Sequence, residues 1–419
     1  MKNPLIKVLS IPSFFFLLVS EFFSQFAMNL LNFILLIVVF TLSKSNLAVA
    51  GVVLSFTLPS IIFGIIAGAI VDKANKKNVL VATNALRALA VFPLFFFAHQ
   101  LVLIYLLSFI VSFITQFFLP AEAPIIPHLV PKKLLLAANA LFSMGIFGSV
   151  IVAYAFSGPI LLIVGKTNVF ILITALFAIS AVFAVLIRKY NVPVRKNENR
   201  NINMRAEIKD SFRLMLRTDK IYHSLFLLTL LQTLILVIAV VGPGYATNIL
   251  HIQVEKFPIL FVTPAVLGMA VGAAIIGNFF NKKSKTTLAK IGLLLTGIVV
   301  LFFPYGYIVT SREFIKSINN HLPIIFHVTD VHIMVILAII IGFGFSLIFV
   351  PSNTILQEET TDEQRGKIYG ALNALVGAVS FIPVLGVGFL ADMLGVSRVI
   401  TGVGITLIAI SLLRFFKYK

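Results

Sequence analysis

The stretch GAIVDKANKKNVL, Gly68 to Leu80, joins two long apolar runs through a short link that carries one aspartate and three lysines. Each flanking run is long enough to cross roughly 30 Å of hydrocarbon as a helix. The same alternation of apolar run and short polar link recurs along all 419 residues, of which 59% are hydrophobic and 11% charged. With a mean hydropathy of +1.07 the chain lies outside the range of water-soluble domains. The runs are continuous rather than alternating, so they predict helices and not a closed barrel.

Twelve spans are expected, near 12–40, 47–71, 78–98, 100–120, 134–164, 168–188, 221–247, 257–280, 287–310, 331–350, 367–391 and 396–415. An even number puts both termini on one side. Placing them in the cytoplasm puts 26 Lys/Arg inside and 6 outside, with Arg87 inside a span, as the positive-inside rule asks. The expected location is therefore the inner (plasma) membrane, multi-pass. Lys2 and Lys7 before the run Ile11–Phe40 imitate a signal peptide, but that run is too long and lacks a small-residue cleavage site, so a retained first helix is expected.

The net charge of +18 sits in short loops, which speaks for membrane topology and against nucleic acid. The absence of cysteine removes disulfides and thiol chemistry. No phosphate-binding glycine loop, H-E-x-x-H or nucleophile elbow occurs, so neither an enzyme nor a cofactor is expected, and energy must come from an ion gradient.

The polar segment from Arg188 to Lys220 divides the chain into residues 1–188, a basic linker at 189–220, and residues 221–419. Within the linker Ile208, Phe212, Met215 and Leu216 share a helical face beside a stripe of Lys209, Arg213 and Arg217. That pattern suits a helix lying at the inner interface among membrane lipids, or simply a solvated basic linker. Asn139-Ala140-Leu141 recurs as Asn373-Ala374-Leu375, and Gly68-x3-Asp72-Lys73 is echoed by Gly277-x3-Asn281-Lys282-Lys283. The halves therefore read as a duplication: two pseudo-symmetric six-helix bundles of an all-α membrane protein.

In the opening stretch Asn75 is expected to supply a left-handed turn residue and Gly68 a close helix approach, and the lysines follow from topology. Asp72 is left over. Gly68-Ala-Ile-Val-Asp72-Lys73-Ala-Asn75-Lys76-Lys77 resembles the signature loop of the major facilitator superfamily, G-x-x-x-D-R/K-x-G-R/K-R/K, with Asn75 where glycine is usual. The resemblance implies the major facilitator fold and a latch in which Asp72 meets the cytoplasmic end of helix 11 in the outward-facing state. Lys73, Lys76 and Lys77 accompany it, and Arg365 is a neighbour. A carboxylate at a helix N-terminus gains about 0.3–1 kcal/mol, enough to bias a two-state equilibrium when made in one state only. A tight turn with purely topological lysines is the simpler alternative.

FFLPAEAPIIPHLVPKKLLLAANAL, Phe117 to Leu141, and VPSNTILQEETTDEQRGKIYGALNAL, Val350 to Leu375, followed by GFLADMLG, resemble the macrolide-efflux-like drug:proton antiporters of that superfamily. Their helix-5 signature is present only as Gly158-Pro159, with Tyr154 in place of its leading glycine. The resemblance implies a secondary active transporter that exchanges protons for a small amphiphilic compound by alternating access, acting as a monomer. A lysophospholipid transporter and a non-transporting membrane receptor remain alternatives.

Two ionisable groups fall well inside spans, Glu21 and Arg87, each nine or ten residues deep, roughly 14–15 Å at 1.5 Å per residue. They are expected either as a buried pair that holds the first half together, or as a proton site in which Glu21 is protonated when the pair loosens. Ser24, Gln25, Asn29 and Asn32 continue from Glu21 as one helical stripe, expected to face a polar cavity or to hydrogen-bond between helices; Gln116 and Gln232 are further cavity candidates. Glu122 is expected as a loop charge near Lys132 and Lys133. His321, His327, Asp330 and His332 read as a solvated loop, and no metal site is assigned.

Overall fold

The computed structural model describes residues 4–72, 74–188, 218–280, 283–305, 316, 319–320, 330–360 and 362–417. The linker stripe Lys209, Arg213 and Arg217, together with His321 and His327, lies outside them. Twelve long helices account for most of the described residues. They are α1 Pro12–Ser43, α2 Asn46–Asp72, α3 Lys76–Val91, α4 Leu101–Glu122, α5 Leu135–Val164 and α6 Val169–Val185, then α7 Asp219–Asn248, α8 Thr263–Phe279, α9 Lys285–Phe302, α10 Asp330–Glu358, α11 Asp362–Leu394 and α12 Val396–Lys417. Eleven apolar helical spans are long enough to cross a membrane, among them Lys76–Phe97, which continues α3, and Val254–Gly277, which takes in most of α8, while Val169–Val185 is a shorter apolar helix. The expected all-helical architecture is the observed one.

The described residues group into two compact units, Met1–Leu42 with Leu54–Ile202, and Ser43–Val53 with Asn203–Lys419. In the first unit α3 and α6 each turn one stripe inward. On α3 the buried residues are Leu80, Thr83, Asn84, Arg87, Ala88 and Val91, the three-and-four spacing of one helical face. α6 does the same with Ile173, Leu176, Phe177 and Ser180. α3 packs against both α6 and α4. Ser20 of α1 and Ser180 of α6 exchange hydrogen bonds, each hydroxyl donating to the other's carbonyl at 2.9 and 2.7 Å. Small hydroxylated residues of this kind let helices meet where lipid offers no hydrophobic drive.

The second unit has a tighter seam. On α8, Gly268 and Gly272 stand four apart and face Gly342 and Ser346 of α10, also four apart. A Cβ at Gly268 would fall on the Ile339 carbonyl, and one at Gly342 on the Ala265 carbonyl, so the backbones touch. This is the small-x3-small device for close helix contact.

One boundary differs from expectation. The segment after Val350 was expected as a loop before helix 11, yet α10 runs through Pro351 to Glu358 and α11 begins at Asp362. The reason is packing. Leu356 is fully buried in a cluster with Ile221, Leu225, Leu228, Ile368 and Leu372. Tyr369 donates to Asn353, and the end of α10 is tied by Lys285–Glu358 at 2.5 Å and Lys220–Glu359 at 2.7 Å.

Candidate functional site

Four inward stripes of the first unit converge on one ionisable cluster. Glu21 occupies the buried face of α1 with Leu17, Ser20 and Ser24, and only 1% of it is exposed. Gln25, one turn on, donates from Nε2 to Glu21 Oε1 at 2.8 Å, and Asn29 donates to the Gln25 carbonyl at 2.8 Å. Arg87 comes from the centre of the α3 stripe and is among the largest fully buried side chains. Its guanidinium lies 4.1 Å from the Phe118 ring centre and 5.0 Å from that of Phe177. Nη2 donates to Asn84 Oδ1 at 3.1 Å, and Asn84 is held in turn by its own donation to the Leu80 carbonyl at 3.0 Å. A cation between two aromatic faces is stabilised without any carboxylate touching it.

The partner that the sequence reading misplaced is Glu122. It is a buried residue at the end of α4, not a loop charge, and its Oε2 is buried without a hydrogen-bond partner among the described residues. The chain beyond it does not leave the unit. Ile125, Ile126, Leu129 and Val130 are packed into the same core as Phe14, Leu17 and Phe118. Glu122 and Phe118 stand four apart on α4, so the helix that supplies the ring under Arg87 also brings the second carboxyl. The hydrogen bonds of Arg87 go to the Thr83 carbonyl and to Asn84, not to Glu21. The legible signal was the run AEAPIIPHLVP, whose apolar residues continue past Glu122.

The remaining members of the stripe divide. The hydroxyl of Ser24 and Oδ1 of Asn32 are buried without a hydrogen-bond partner among the described residues, whereas Gln25 and Asn29 are bonded as above. Gln116 is buried on α4, but its amide donates back to the Ser112 carbonyl at 3.1 Å and does not join Gln25. Gln232 is half-buried on α7, in the other unit.

The signature loop is built differently from the expected turn. Asn75 has φ −71° and ψ 112°, an extended N-cap and not a left-handed residue, and Oδ1 accepts the Asn78 N–H at 3.2 Å. The first turn of α3 needs that acceptor more than the link needs a reversal. Lys76 Nζ donates to the Val71 and Ala74 carbonyls at the end of α2. Among the described residues, a Cβ at Gly68 would meet no atom within 4 Å. Lys77 is half-buried in the first turn of α3. Asp72 ends α2 and Arg365 lies in the first turn of α11, both with side chains outside the described set, as is Lys73 altogether.

A second polar contact was not anticipated. Asp392, within the GFLADMLG segment, accepts hydrogen bonds from Ser45, Asn46 and Leu47 at the start of α2. Gly388 makes room, since a Cβ there would stand 3.0 Å from the Asn46 carbonyl oxygen. Gly395, at φ +89°, then ends α11.

These helices define a multi-pass membrane protein with an ionisable cluster buried inside one bundle. The chain belongs to the Major Facilitator Superfamily, whose family model matches residues 17–383. It is thus a transporter rather than an enzyme. It is 23% identical over 395 residues to the uncharacterized MFS-type transporter YfiS of Bacillus subtilis (strain 168), covering 92% of this chain and 88% of that protein. A second uncharacterized MFS-type transporter of that organism, YfmI, is 23% identical over 410 residues, covering 94% and 92%. Among solved structures the nucleoside transporter NupG superposes with a TM-score of 0.73 at 14% identity, covering 96% of this chain and 100% of that one. A bacterial homolog of the human lysosomal transporter Spinster, in an inward-facing unoccupied conformation, gives 0.71 at 12% identity, covering 98% and 96%.

Proposed function

We propose that the chain is a proton-coupled exporter of hydrophobic or amphiphilic compounds, macrolide-like drugs among them, working by alternating access in the inner membrane with both termini cytoplasmic. The observation that carries this reading is Glu21, an acid buried in mid-span and bonded to Gln25. An ionisable group inside a span costs about 2.5–3.5 kcal/mol on insertion scales, so its retention calls for a task. Proton uptake is the task an acid at that depth can perform. The latch set Gly68, Asp72, Lys73, Lys76, Lys77 and Arg365 supplies the conformational bias, and Ser24, Gln25, Asn29, Asn32, Gln116 and Gln232 offer hydrogen bonds to substrate. Its partners are protons, membrane lipids and a small amphiphilic substrate, with no nucleic acid and no cofactor, and it works as a monomer.

The test is transport by the purified protein in proteoliposomes of fluorescent amphiphiles, macrolides and lysolipids, with and without an imposed proton gradient. Gradient-driven movement of amphiphiles or macrolides, lost in Glu21→Gln, is the expected result. Lysolipid movement indifferent to the gradient would replace the exporter with a lipid transporter.

A further inference from the structure

We propose that the second unit holds a dry binding site for the end of an alkyl chain, set inside the bundle among α7, α9, α10 and α12. A partly open cavity lies there, and its lining among the described residues presents no polar surface. Four rings, Tyr245, Phe257, Phe261 and Phe303, form one wall, and aliphatic side chains of the four helices complete it.

The rings hold one another in place. Tyr245 packs edge-on against Phe303 with ring centres 5.5 Å apart, and Phe261 meets the same ring at 4.9 Å. Phe257 and Phe261 stack at 5.0 Å across the π-helical turn Pro258–Val262, a departure from the α-helix that recurs at functional sites. Gly242 admits the Phe257 ring to the surface of α7, since a Cβ there would stand 2.9 Å from a ring carbon. The one polar atom on these rings is already used, for Tyr245 donates its hydroxyl to the Phe303 carbonyl at 2.8 Å. A wall braced in this way keeps the space open, although unfilled volume in a core costs stability.

Chemistry and size select the occupant. A bound water needs polar partners, and this lining offers none. A charged or hydrogen-bonding group would lose its hydration without compensation. The volume, about 40 Å³, exceeds the roughly 10–15 Å³ that one water needs and falls well short of the ~150 Å³ of an apolar cavity that takes up benzene. A slender run of methylene and methyl groups fits, and a ring does not. Ile238 of α7 and Val403 of α12 are the half-buried members of the lining, which places the mouth between them. The chain can belong to a membrane lipid or to a free amphiphile, and the site stands whether or not the protein exports the latter.

The test is photolabelling of the full chain in lipid nanodiscs with two probes that carry a diazirine at the end of an alkyl chain, one a phosphatidylcholine and one a single-chain trimethylammonium amphiphile. Mass spectrometry locates the label. In the wild type, label on the four rings is expected from at least one probe. Val403→Phe and Ile238→Phe narrow the mouth with apolar side chains, and each is expected to lose the ring label while the exposed Ile382 and Leu413 keep theirs. Ring label from phosphatidylcholine alone supports the site with a lipid as its occupant, and from the amphiphile alone with a free amphiphile. No ring label from either probe in the wild type overturns the proposal, as does ring label unchanged in a mouth variant whose melting temperature shows it folded.

Discussion

Asp392 accepts hydrogen bonds from both nitrogens of Asn46, the backbone N–H at 2.7 Å and the side-chain Nδ2 at 2.9 Å. Ser45 Oγ adds a third at 2.5 Å and the Leu47 N–H a fourth at 3.1 Å. One carboxylate thus caps the first turn of α2, where unpaired N–H groups and the helix dipole both favour an anion. Asp392→Asn keeps the shape and removes the charge. A loss of about 0.3–1 kcal/mol is expected from this exposed contact, smaller at high salt. Thermal unfolding at two ionic strengths, in a double-mutant cycle with Asn46→Ala, measures it.

Arg87→Lys is not a conservative change. Lysine keeps the charge but cannot spread a planar cation between Phe118 and Phe177, 4.1 and 5.0 Å from their centres. Losing that stacking is expected to cost about 1–2 kcal/mol at a desolvated site. Arg87→Leu is expected to cost more, about 3–5 kcal/mol, because buried acids lose their counter-charge. Denaturation of both variants in the same detergent gives the order, which reverses if the cluster is not electrostatic.

The seam of α8 and α10 makes a steeper prediction. Any side chain at Gly342 must displace the Ala265 backbone. Gly342→Ala is expected to destabilise by about 1–3 kcal/mol, the range for overpacking a dense core. Gly277→Ala, where a Cβ meets no atom within 4 Å among the described residues, is the control and should leave the melting temperature unchanged.

Ser180→Ala removes one of the two donations that join α1 to α6 while Ser20 can still donate to the Ser180 carbonyl. Interhelical hydrogen bonds in membranes average about 0.6 kcal/mol, so a shift of that size is expected. A loss several times larger would mean that the pair organises the Glu21 face of α1 as well.

Most of the architecture could be read from the sequence because lipid leaves a helical chain few options. Apolar length and the lysine-rich links placed the spans. The misplacements share one cause: they fall where a polar or proline-containing stretch remains buried. Glu122 and Pro351 both sit near a helix end, where composition suggests a loop, and only the packing of Ile125, Ile126 and Leu356 shows that the chain is still inside. Glu21 and Arg87 stood out because charge is rare in a span, but the burial of Glu122 and the contacts between Arg87 and the two rings depend on helix rotations that no single helix encodes. The glycine seam was readable as Gly268-x3-Gly272 and passed unnoticed among 25 glycines.

Asn75 offers a test of the departure from the superfamily loop. As an N-cap it should tolerate the glycine usual there at a cost of a few tenths of a kcal/mol, whereas Asn75→Ala should cost about 1 kcal/mol. Equal melting temperatures for the two variants would mean that the Asn78 contact at 3.2 Å contributes nothing.

Asn75 and Lys76 between them close both helix ends of that link, one serving the N–H groups of α3 and the other the carbonyls of α2. The link is therefore fastened at both ends through main-chain groups. Because each of these bonds ends on a main-chain atom, the residues at 71, 74 and 78 can change identity without opening the link, and the burden of keeping it closed falls on two side chains.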